Sequence, residues 1–188
     1  MKIYKLGEEV LRKKCEPVTE ITDEMRDIFN QMFETMIEAE GVGLAAPQVG
    51  ISQRFFVAIA DDDVRRVFVN PQIVSTSSEL GDYEEGCLSL PGFNESIRRP
   101  VKVKVQAMDE FGKKFTLEAD GLLARIIQHE NDHLDGIIYI DRGDPKFAAD
   151  VTAKMQKRLE RAAKKEAEKA RKAASIAAKM AAKEAKKK

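Results

Sequence analysis

Apolar residues along the 188-residue chain recur with two different periods. Met25, Ile28, Phe29, Met32, Phe33, Met36 and Ile37 are spaced by three and four, which places them on one face of a helix. Thr22, followed by Asp23 and Glu24, supplies a start and Gly41 a stop, so the pattern predicts an amphipathic helix whose methionines pack in a core. Beyond it the period shortens. "RFFVAIA" and "RRVFVN" are strand-like runs, and in "VKVKVQA" the residues Val101, Val103, Val105 and Ala107 alternate with polar ones, as in a strand with one wet face. "VKVKVQAMD" and "KKFTLEA" read as a hairpin turning near Asp109 to Lys113.

The helical period returns in "GLLARIIQHENDHLDG", where Leu122, Leu123, Ile126, Ile127 and Leu134 predict a largely buried second helix that Gly136 ends. Strands flank this helix without a regular βαβ alternation. The expected fold is therefore α+β: short antiparallel or mixed strands packed around a buried helix, with an extended C-terminal helix. From Pro145 the chain turns to Ala, Lys, Arg and Glu, a helix-favouring mixture. Phe147, Val151, Met155 and Leu159 repeat every fourth residue and can dock on the body. Past Ala163 the large apolar residues are Ile176 and Met180 alone, so the distal part is expected to project or fray. The division is a body at 1–146 and a basic helix at 147–188.

Charge sharpens this division. The chain is neutral overall, but residues 153–188 carry +10 and residues 1–152 carry −10. An acidic body joined to a basic arm points to a polyanionic partner for the arm. No apolar run of about 18 residues is present for a membrane span, and "MKIYKLGEEV" lacks the apolar stretch of a secretion signal. A cytoplasmic monomer without membrane association is the expectation. Cys15 and Cys87 are too few for a disulfide framework and are expected to remain thiols or bind metal.

The chain has two histidines, and both stand in "QHENDHLDG". On a helix, His129 and His133 lie one turn apart on the same face and can reach one ion. Glu130 completes H-E-x-x-H, in which a carboxylate beside the metal can take a proton from bound water, a hydrolase signature. Two imidazoles do not close the site. A third histidine is absent, and the downstream glutamates, such as Glu160 and Glu166, lie in the basic tail, which leaves a thiolate. Cys87 in "EEGCLSLPG" follows Gly86 and has extended neighbours, a context for metal binding that Cys15 in "RKKCEP" lacks. "GVGLAAPQVG" fits G-x-G-x-x-A, but it follows a helix and runs into Pro47, so a dinucleotide site is disfavoured. Gln48 in that stretch is a polar amide on an apolar strip, able to donate to an oxyanion.

"GVGLAAPQVG", "EGCLS" and "QHENDHLDG", in this order and at these separations, resemble the three signature motifs of peptide deformylases, and the likeness runs from Met1 to about Arg142. The resemblance implies that Cys87, His129 and His133 bind one divalent ion. That ion is usually Fe2+, with Zn2+, Ni2+ or Co2+ also accepted. Glu130 would be the general base and then the acid, Gln48 and the Leu88 N–H would meet the oxyanion, and Gly43 would help hold the substrate backbone. The implied substrate is the formylmethionine at the start of a nascent peptide, and the products are formate and a free amino terminus. An apolar wall from Leu122 and Ile126 would accept the methionine side chain. The basic tail is similar in kind to C-terminal helices that dock on the ribosome, which implies contact with ribosomal RNA. Two other readings use the same residues. One is a peptidase cleaving internal amides, and the other is a ribosome-binding module with a purely structural metal, although a structural site is usually closed by four protein ligands.

Overall fold

The structure, a computed structural model, describes residues 1–185, with side chains to residue 174. A five-stranded antiparallel sheet has the order β1 (Gly43–Ala45), β2 (Phe55–Ile59), β3 (Arg65–Thr76), β6 (Lys102–Met108), β7 (Lys114–Asp120). A separate ribbon pairs β4 (Leu80–Gly86) with β5 (Asn94–Pro100). Helices α1 (Asp23–Glu38) and α2 (Gly121–Leu134) cover opposite faces of the sheet, and α3 (Pro145–Ala185) closes the chain. The fold is α+β, as the pattern predicts. Every strand pair is antiparallel; the parallel pairing is limited to the isolated bridge between Glu16 and Gln53.

Side-chain alternation explains how one sheet serves two helices. In β2, Phe55 and Val57 point toward α1 while Phe56 and Ala58 point toward α2, and in β3 Val67 and Val69 oppose Phe68 in the same way. A strand buried on both faces reads as a continuous apolar run, which is what "RFFVAIA" is. β6 alternates, with Val103, Val105 and Ala107 buried against α2 and polar residues outward.

Two predicted boundaries move, each for a local reason. The helix stop expected at Gly41 falls one residue earlier. Glu40 takes the left-handed conformation at φ 57°, and the Gly41 N–H closes on the Met36 carbonyl at 2.9 Å, a Schellman ending with glutamate in the position usually given to glycine. At the other helix, Gly136 itself occupies that position at φ 73°. β3 runs past Asn70 to Thr76, because Asn70 and Pro71 sit at a register shift between Val69 and Gln72 and do not end the strand. The ribbon β4–β5 has no counterpart in the sequence reading. Its residues are mostly polar and exposed, and its buried positions are few: Glu85, Ile97 and Arg99.

Val151 and Met155 of α3 are buried in a third cluster with Leu6, Leu11, Leu90, Ile97 and the segment Ile138 to Ile140, with Phe147 packed against it. Leu159 is half-buried, and residues 160–174 are all exposed. Ile176 and Met180 lie outside the described side chains. No described helix is long and apolar enough to cross a membrane.

Candidate metal centre

α2 carries the centre on its buried face. His129 and His133, one turn apart, bring their rings to a centroid separation of 5.1 Å. Cys87, the first residue beyond β4, completes the group, with Sγ 3.2 Å from His133 Nε2. The three side chains place ligand atoms within 4.8 Å of one another, the one such group of three among the described residues. Cys15 is elsewhere, buried in the core between sheet and α2, where burial pushes its thiol up to about 11.

The orientation of His129 is fixed from behind. Its Nδ1 lies 2.8 Å from Glu85 Oε2, which leaves Nε2 for the centre. Glu85 is 4% exposed and also accepts from Arg99 Nε at 2.7 Å, Arg99 Nη2 at 3.0 Å and Arg125 Nη1 at 3.0 Å. Burial opposes its charge, but the hydrogen bonds from His129 and Arg99 prevail and hold the carboxyl at about 2. Arg99 reaches on to Asp132 at 2.7 Å, and Arg142 donates to the same carboxylate at 2.6 Å. The sequence reading missed Glu85, Arg99, Arg125, Asp132 and Arg142. One signal was present: Glu85 is two residues before Cys87 in extended chain, so both side chains face the same way.

Glu130 is buried beside the centre, and burial raises its carboxyl to about 7. Its Oε2 has no hydrogen-bond partner among the described residues, and neither has His133 Nδ1. The two imidazoles diverge. Burial lowers His133; it opposes the charge on His129 too, but there the hydrogen bonds to Cys87 and Glu85 prevail and raise the ring above its ordinary value. Gly43 of β1 packs directly on Glu130; a Cβ there would overlap the carboxylate and come within 2.9 Å of Ile126 Cγ2. Gln48 sits on a short 3-10 helix, Ala46–Val49. Its Oε1 accepts from the Ala45 N–H at 2.7 Å, so its NH2 is turned to Ser89 Oγ at 3.3 Å and Cys87 Sγ at 3.5 Å. The Leu88 carbonyl accepts from Lys5 Nζ at 2.7 Å, while its N–H, among the described residues, donates to no protein group.

A cleft of about 740 Å³ opens onto these groups; Gly43, Gln48, Cys87, Leu88, His129 and Glu130 line it, and so do Leu122 and Ile126. His133 lies beneath, fully buried. All nine residues singled out for the site in the sequence thus come together at one place.

One sulfur and two imidazole nitrogens suit a divalent transition metal, and the unpartnered Glu130 oxygen is placed for a water or a proton. With three candidate ligands, an adjacent buried carboxylate and an open cleft, the site has the make-up of a mononuclear metallohydrolase.

The family model described as polypeptide deformylase matches residues 1–148. A peptide deformylase of Treponema pallidum is 51% identical over 146 residues, 78% of this chain and 90% of that protein. Peptide deformylase 1 of Clostridium perfringens is 52% identical over 135 residues, 71% of this chain and 91% of that protein. The crystal structure of a peptide deformylase from Legionella pneumophila superposes with a TM-score of 0.79 at 41% identity, covering 86% of this chain and 96% of the other. The chain belongs to the peptide deformylase family. It is a hydrolase that removes the N-formyl group from nascent polypeptides.

Glu85→Gln keeps the size of the side chain but removes the charge that orients His129. Metal affinity, measured by competition with a chelator, is expected to fall about 10- to 100-fold. Unaltered affinity would show that the carboxylate does not hold the ligand in place.

Proposed function

We propose that Cys87, His129 and His133 hold one divalent cation, Fe2+ in the cell, with Zn2+, Ni2+ or Co2+ able to replace it, and that Glu130 manages the proton. The observation that carries this reading is the convergence of three donor atoms within 4.8 Å of one another beside a buried carboxylate oxygen that lacks a protein partner. When bound, the ion supplies Lewis acidity and makes water a nucleophile near neutral pH.

The remaining work falls to the chain's own residues. Glu130 takes a proton from the attacking water and returns it to the leaving nitrogen, a task suited to a carboxyl raised to about 7. A cation nearby favours its ionised form before the attack. The Gln48 NH2 and the Leu88 N–H face the formyl oxygen as it becomes negative, and both are set in place before the reaction by hydrogen bonds or chain geometry. Gly43, packed on Glu130 at the cleft wall, helps hold the substrate backbone. Leu122 and Ile126, which line the cleft, form the apolar wall for the methionine side chain, and selection of formyl over bulkier acyl groups rests on the small size of the group that must reach the ion.

Glu130→Gln is expected to lower formate release from a formyl-methionyl peptide by at least about 100-fold while metal content and folding persist. Loss of metal together with activity would show that Glu130 serves the site's assembly instead.

The exposed part of α3 carries Arg161, Lys164, Lys165, Lys169, Arg171 and Lys172 against Glu160, Glu166 and Glu168. We assign this arm a contact with ribosomal RNA phosphates, and we assign the enzyme to the cytoplasm as a monomer. Counterion release makes such a contact strongly salt-dependent. Removing the residues after Ala163 is expected to abolish co-sedimentation with ribosomes at low salt and leave deformylation intact; equal retention would rule out a role for the distal arm.

A further inference from the structure

The cleft has a rim that the catalytic account leaves unused: the turn from Pro91 to Asn94, just beyond the Cys87 segment. Pro91, Gly92 and Asn94 line the cleft and are exposed, and Gly92 has a φ of 79° with no heavy atom near enough to support it from the side. An exposed turn of this kind is mobile unless something holds it.

Within the ribbon, Asn94 pairs with Gly86 and donates to Glu84 Oε1 at 3.3 Å, and the Phe93 N–H donates to the Leu90 carbonyl at 3.3 Å; the other holding groups come from the chain's C-terminal segment. Arg158 of α3 donates from Nη1 to the Pro91 carbonyl at 2.9 Å, and its guanidinium lies over the Phe93 ring at 4.7 Å. Lys154, one turn earlier, has its Nζ 5.9 Å from the same ring. The Tyr139 hydroxyl donates to the Phe93 carbonyl at 2.8 Å, and Glu95 accepts from the Asp144 N–H at 2.7 Å where α3 begins. Among these groups Arg158 alone reaches Pro91, and it does so from a helix that Val151 and Met155 root in the core.

We propose that Arg158 is a positioning residue for substrate: through Pro91 and Phe93 it sets the Pro91–Asn94 rim against which a formylated peptide lies beyond its methionine. The inference rests on the cleft being the formyl-peptide site. Arg158 touches neither the reacting group nor the metal ligands, so its contribution is confined to peptides long enough to reach the rim. The first half of α3 is then part of the substrate cleft's architecture, whatever the distal arm binds. A planar guanidinium can hydrogen-bond a carbonyl and stack on a ring at once, whereas an ammonium supplies a charge without the stacking plane.

The test compares formyl-Met-Ala with a formylated hexapeptide beginning with the same two residues, using the full metal-loaded chain. For Arg158→Ala, KM for the hexapeptide should rise about three- to fivefold, the size of one exposed cation–π contact, with kcat retained and with the dipeptide unaffected. Arg158→Lys should restore part of the hexapeptide KM, and Lys157→Ala, on the same helix but without a hydrogen bond or ring contact to the rim, should leave both substrates at wild-type values. Equal losses on both peptides, or no change on either, overturn the proposal. Wild-type turnover of the dipeptide tests the site itself, so failure there is distinguishable from failure of the rim.

Discussion

One buried carboxylate, Glu85, ties together the parts of the molecule that the chemistry needs. It sits at the end of β4, two residues before Cys87, and binds Arg99 of β5 and Arg125 and His129 of α2. A polar ribbon with little apolar surface is thereby fastened to α2, together with the Arg99–Asp132 pair and the bonds from Arg125 to the Ile97 and Gly81 carbonyls. Such a hub is not there for stability alone, since buried ion pairs roughly break even against apolar residues of the same volume. Breaking it from one side is another matter, because Arg99 would keep only Asp132 and Arg125 only the Ile97 and Gly81 carbonyls, and a broken buried pair costs about 3–5 kcal/mol. What the arrangement provides is geometry: it presents the Cys87 sulfur and the His129 ring to the same point from different elements.

Much of the architecture was legible in the sequence because burial on this sheet follows simple periods. The stripe of α1, the doubly buried run of β2 and the alternation in β6 each produce a pattern of three and four, of continuous apolar residues, or of two. The ribbon β4–β5 was not legible. Its burial is mostly polar, supplied by Glu85 and Arg99, and no hydrophobic period marks a strand held by charge. At the site, H-E-x-x-H spacing was enough to bring His129, Glu130 and His133 to one helical face, and Gly86 with its extended neighbours distinguished Cys87 from the core residue Cys15. The groups behind the ligands escaped notice because arginines and acids scattered over residues 85 to 142 have no sequence spacing in common; the fold alone makes them neighbours.

The C-terminal helix combines two physical regimes in one continuous element. Up to Leu159 it is held by apolar contacts to the body and, through Arg158, Lys154 and the start of the helix, to the segment that follows Cys87. From 160 to 174 it is exposed and predominantly basic. The first part supports the cleft, and the second offers charge to solvent. Under the proposed contact with RNA, this separation would let the arm engage phosphates without burying surface of the catalytic body.

The account stands on one thiolate and two imidazoles sharing a single ion with a coordination position left open. X-ray absorption spectroscopy of the zinc-loaded protein reads that directly: one sulfur at about 2.3 Å and two imidazole nitrogens at about 2.0–2.1 Å, with one further light scatterer from solvent. A spectrum without a sulfur shell, or one fitted only by a fourth protein side chain, would contradict it.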